Sequence, residues 1–154
     1  MTTLLFALLI GVVAGLRTMT APAAVTWAVH LGWLHVDGTW AAFLAHPITL
    51  WVFSILALGE FVADQLPNTP SRRVPFQFGS RIVSGAFCGA TIGNAFGNLV
   101  GGLIAGLFGA IVGTLVGSEA RSRLASAFGN DHVAAILEDV IAVGGALWIV
   151  SSLG

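Results

Sequence analysis

Residues 81–117 read RIVSGAFCGATIGNAFGNLVGGLIAGLFGAIVGTLVG, and this stretch decides the fold. Gly85, Gly89, Gly93, Gly97 and Gly101 recur every four residues, followed by Gly109, Gly113 and Gly117. On an α-helix, a spacing of four lines up small residues along one face and lets a neighbouring backbone come close. The run is apolar throughout and too long for one membrane crossing of about 20 residues. It therefore has to turn back. Asn94, Gly97, Asn98 and the Gly101–Gly102 pair make its weakest helical segment, so the turn belongs there. The stripe predicts tight helix packing, within the chain or at a dimer interface.

Outward from that stretch, the rest of the chain has the same character. Hydrophobic residues make up 56% of the 154 residues and charged residues only 8%, against about 25% in a soluble domain. Six arginines and seven acids cannot furnish a polar shell. The composition predicts an integral membrane protein, all-α, a bundle of about five or six transmembrane helices. A net charge of −1 suggests no nucleic-acid partner. The single cysteine, Cys88, allows no internal disulfide and reads as a small buried hydrophobe. The apolar run 4–13 lacks the basic start of a signal peptide and reads as a permanent first helix.

The predicted segments are 2–20, 22–34, 48–66, 81–96, 99–118 and 132–152. The first two form one interrupted stretch, broken by Gly15, Arg17, Thr18, Thr20 and Pro22. It is either a spanning helix followed by an interfacial one, or a hairpin or broken pair. Pro47 suits the first turn of the third helix, and Asp131 suits the N-cap of the last. Loops 67–80 and 118–130 hold four of the six arginines, with Arg81 directly after the first, which marks them as cytoplasmic and puts the C-terminus outside. The tryptophans at 27, 33, 40, 51 and 148 read as interfacial anchors or lipid-facing packing.

Four acids lie within apolar helices, where even a lenient scale assigns a central Asp about 2.5–3.5 kcal/mol. Glu60 and Asp64 share a helix face, and Glu138 and Asp139 start a similar distance into the last helix. Arg17 is the one cation inside an apolar segment, and Arg81 stands at a helix mouth. Two readings follow. The four acids bind a cation or relay protons, with Arg17 and Arg81 as counter-charges. Alternatively, the same residues form a structural ion-pair network. The histidines at 30, 35, 46 and 132 are scattered, and no phosphate loop or nucleophile motif occurs, so no enzyme activity or cofactor is expected. Ser71, Arg72 and Arg73 suit a phosphate headgroup but also the ordinary topology signal.

Gly-Leu-Arg at 15–17, Gly-Trp-Leu at 32–34, His-Pro at 46–47, Gly-Glu-Phe-Val-Ala-Asp-Gln-Leu-Pro at 59–67 and Leu-Glu-Asp at 137–139 occur in order. This set resembles the bacterial membrane-protein family catalogued as domain of unknown function 4126, over nearly the whole chain. Gln65 stands where that pattern usually has Lys. The resemblance implies a polytopic inner-membrane protein and brings no activity with it. It places Arg17, Glu60, Asp64, Glu138 and Asp139 in the family pattern. The combined expectation is a small transporter or channel for a cation or small solute, homodimeric or otherwise homo-oligomeric. The rival is a non-transporting scaffold or lipid-binding protein.

Overall fold

The computed structural model describes residues 1–66 and 74–154. Seven helices and no strand occur among them: α1 (Thr2–Leu16), α2 (Thr20–His30), a 3₁₀ helix (Trp40–Ala45), α3 (Pro47–Ala63), α4 (Pro75–Ala95), α5 (Leu99–Phe128) and α6 (Asp131–Ser151). Two of them, α5 and α6, are long and apolar enough to cross a membrane; α1 and α3 are shorter apolar helices.

The chain runs back and forth, each long helix antiparallel to the next. Gly85, Gly89 and Gly93 of α4 face Gly106 and Gly102 of α5 in descending order. Leu8 and Val12 of α1 face Gly109 and Gly113, so α1 runs parallel to α5. The break at Arg17–Met19 reverses the chain, because Thr18 meets Glu60 while Trp27 meets Ser54. Of the open alternatives for the first stretch, the helical hairpin is the one formed. Its second arm has only 11 residues, about 17 Å of helix, and the 3₁₀ helix packs beyond it on Phe87 of α4 through Trp40 and Phe43.

Several boundaries depart from the sequence expectation. The first helix stops at Leu16, not 20, because Arg17 turns extended. Pro22 lies inside α2, in its first turn, where its missing N–H has no helical partner to lose. Pro75 likewise opens α4 six residues before the expected start. The largest difference is α5, which continues through the expected loop 118–130 as far as Phe128. Charge ends an apolar segment but not a helix: Glu119 and Arg123 pair at i,i+4 on its surface. Gly129, in the left-handed region at φ +63°, stops it. Asn130, not Asp131, then caps α6 by accepting from the His132 N–H at 2.9 Å. Of the other predicted loop, residues 67–73 with Ser71, Arg72 and Arg73 lie outside the described residues, and 75–80 are helical.

Packing divides the helices into two groups. Helices α1, α4 and α5 make by far the most extensive contacts and form the core. They touch backbone to backbone. A Cβ placed on Gly106 would fall within 3 Å of Gly85 and Gly89 backbone atoms, and one on Gly11 would strike the Gly106 carbonyl. All three core helices thus cross at Gly106. Helices α2, α3 and α6 form the second group, the shell, with fewer close backbone approaches to the first; α2 is largely buried, whereas in α3 only Leu50 and Ala57 are buried. The glycine ladder is resolved by this arrangement. Gly85, Gly89, Gly93, Gly109 and Gly113 are at the weld, whereas Gly97 (φ +76°) forms the α4–α5 turn and Gly101 faces Asn98. Gly117 is buried on the same stripe of α5.

Candidate functional site

The charged residues gather at one end of the bundle, where α1, α3 and α5 finish and α4 and α6 begin. Two glycine stripes deliver arginines there. The α4 stripe 85, 89, 93 extended back by four reaches Arg81, and the α5 stripe 109, 113, 117 extended forward by four reaches Arg121. Arg81 stands one turn before Gly85, which packs on Gly106, and Arg121 stands one turn beyond the buried Gly117. Arg17 joins them from the end of α1.

Arg17 is fully buried. Its two terminal nitrogens donate to Asp64 at the end of α3 and to Asp139 of α6. The Phe61 ring lies 5.2 Å from the guanidinium carbon, a cation–π contact. Arg17 Nε and the buried Thr20 hydroxyl have no hydrogen-bond partner among the described residues.

The break between α1 and α2 exposes backbone groups that a continuous helix would satisfy, and buried groups of that kind have to be paired. Here side chains from other helices do so. The Glu60 carboxylate accepts from the backbone N–H of Thr18 and of Met19, each at 2.8 Å. Arg81 Nη1 donates to the carbonyls of Gly15 at 2.8 Å and Leu16 at 2.6 Å. Ser84 Oγ donates to the Thr18 carbonyl at 2.6 Å, and Thr114 Oγ1 to that of Gly15 at 3.3 Å. Arg81 and Glu60 approach each other to 4.0 Å.

On the α5 side, Arg121 is bonded through Nε and Nη2 to Asp131 at 3.1 and 2.8 Å. Its Nη1 stands 3.7 Å from both Asp64 and Glu138, ion-pair distances too long for direct hydrogen bonds. Asp64 therefore has two cations, Arg17 and Arg121. Glu138 is the most buried of the acids.

All four predicted acids and both predicted cations thus converge, in the roles of ion-pair and capping partners. None of the four acids stands alone: each faces a guanidinium, and Glu60 also two amides. Among the described residues no three His, Cys, Asp or Glu side chains form a metal-ligand set. Sequence reasoning missed Arg121, assigned to a loop, although its place four residues after Gly117 was the available signal. It also missed Ser84, Thr114 and Phe61, whose types and spacing carry no such signal. No protein-family model, curated protein or solved structure matches the chain.

One regularity organises these contacts. Among the described residues, every ion pair between the two helix groups joins a core arginine (Arg17, Arg81 or Arg121) to a shell carboxylate (Glu60, Asp64, Asp131, Glu138 or Asp139).

Proposed function

We propose that the chain is a small multi-pass membrane transporter whose welded core and acid-bearing shell move against each other, with protonation of the shell carboxylates as the coupling event. The observation that carries this is the direction of the pairs that join the two groups: among the described residues each has its arginine on the core and its acid on the shell. An ion pair spanning two bodies is a latch, and neutralising its acids releases one body from the other. Rocking of one helix group against another, beside helices broken at membrane depth, is a general mode of alternating access.

Membrane embedding is supported by the outer surface. Ile55, Leu58 and Val62 of α3, Val100 and Phe108 of α5, and Val140 and Leu147 of α6 are all exposed. So are Trp27, Trp40, Trp51 and Trp148. A surface this apolar fits lipid, not water. The resemblance to domain of unknown function 4126 and the apolar length of α5 and α6 agree with it. In that setting the arginine-rich end of the bundle is cytoplasmic and the C-terminus outside.

Partner exchange needs spare capacity, and two features supply it: Asp64 has a second cation, and Arg17 has an unused Nε. A site for a free metal cation fits less well, because arginines already neutralise the acids. The second reading, a purely structural network in a non-transporting scaffold, is favoured by the full burial of Arg17 and the paired amide bonds of Glu60. Flux separates the two. In proteoliposomes under an imposed pH gradient, wild type should carry protons, whereas Glu138→Gln and Asp139→Asn should remain monodisperse and carry none. Absence of flux in wild type across the ions and pH gradients tried, with both variants unfolding, would leave only the scaffold.

A further inference from the structure

Between α1, α5 and α6, at the seam of core and shell, lies a groove of about 240 Å³. Val12, Val112, Val116 and Ile141 line its length, and Arg121 and Glu138 stand towards one end. Almost none of its surface is polar, because both charged groups turn their ends into the ion-pair cluster. It follows α5 from Val112 to Leu124, about 18 Å of helix. Spread over that length, this is a slot narrower than the 10–12 Å of a helix with its side chains. An extended hydrocarbon chain fits along it.

We propose that this groove binds one acyl chain of a bilayer phospholipid. Three observations single out that occupant. The lining offers nothing to a polar solute. The slot is open along its side, where Val112, Val116 and Ile141 are at least half exposed, so a chain enters laterally with its headgroup left at the surface. Finally, the groove is continuous with the core–shell seam, and its charged end adjoins the ion-pair cluster at Arg121 and Glu138. A chain seated there lies between α6 and the core helices, beside the Arg121–Glu138 ion pair. The binding rests on the chain's lying in a bilayer and not on transport.

The test is photolabelling in vesicles of phosphatidylcholine carrying a diazirine in one acyl chain, followed by peptide mapping, with native mass spectrometry of the purified protein alongside. Adducts should concentrate on Val112, Val116 and Ile141, and one phospholipid mass should stay with the protein. Val116→Trp fills the slot from an exposed position without touching the weld. It should cut groove adducts about tenfold and remove the retained mass, while adducts on the outer face of α3 (Ile55, Leu58, Val62) stay unchanged. Groove labelling equal to that of the α3 face, or labelling and retained mass unaffected by Val116→Trp, would overturn the proposal. So would a retained mass that is not a phospholipid. Intact labelling with no proton flux in wild type would sink transport alone.

Discussion

Replacing Arg17 by Met keeps a long, flexible side chain and removes the guanidinium that two acids share. Asp64 and Asp139 would then face each other across a buried space with their main counter-charge gone. Removing one partner of a buried pair costs about 3–5 kcal/mol. Two features push the value towards the lower end: Asp64 keeps Arg121 at 3.7 Å, and the Asp139 side chain is 20% exposed. A loss of about 3 kcal/mol is expected, roughly a hundredfold in the folding equilibrium. The companion variant, Arg17→Met with Asp64→Asn and Asp139→Asn, removes all three charges. It should regain most of that loss, since well-packed neutral substitutes for buried ion clusters are often no less stable. Equilibrium unfolding by SDS in dodecylmaltoside micelles, followed by tryptophan fluorescence, measures both. An Arg17→Met variant within 0.5 kcal/mol of wild type, or a triple variant less stable than the single one, would refute the reasoning.

Other substitutions probe other parts of the same arrangement. Glu60→Ala leaves the Thr18 and Met19 amides without their acceptor and should cost about 1–3 kcal/mol. Glu60→Gln retains one acceptor oxygen and should cost less, and hydrogen exchange should rise at both amides in the Ala variant but at only one in the Gln variant. Gly106→Ala places a methyl against backbone that cannot rotate away, so about 1–3 kcal/mol of overpacking is expected in the same unfolding assay. Gly144→Ala meets nothing within 4 Å; it should stabilise by up to about 1 kcal/mol, as Ala replaces Gly inside a helix.

How much of this could be read from the sequence is clearest at the glycines. Their spacing marked α4 and α5 as close-packed, and Gly97 with Asn98 marked the turn. What spacing could not give was the partner. Helix α5 carries two stripes, Gly102–Gly106 towards α4 and Gly109–Gly113 towards α1, and only the fold shows that Gly11 of α1 is the third member of the weld. The acids were legible because a carboxylate in an apolar helix is costly. Their partners were less so, since an arginine near a helix end looks the same whether it is solvated or folded inward. Arg121 was hidden because a fall in hydropathy after Gly117 reads as a loop, although Glu119–Phe128 contains no helix breaker. Glu60's role was hidden altogether, since capping a break that lies over forty residues away leaves no local pattern.

The central claim is that the core–shell ion pairs are a latch released when the acids lose their charge. Spin-label distances in nanodiscs test it most directly, with Cys88 replaced by Ala and labels at the exposed positions Phe108 of the core and Ile55 of the shell. In Asp64→Asn with Asp139→Asn, this distance should lengthen or broaden relative to wild type. A control pair within the core, Val83 to Val112, should stay fixed. Identical Phe108–Ile55 distributions in wild type and the neutralised variant would contradict the account.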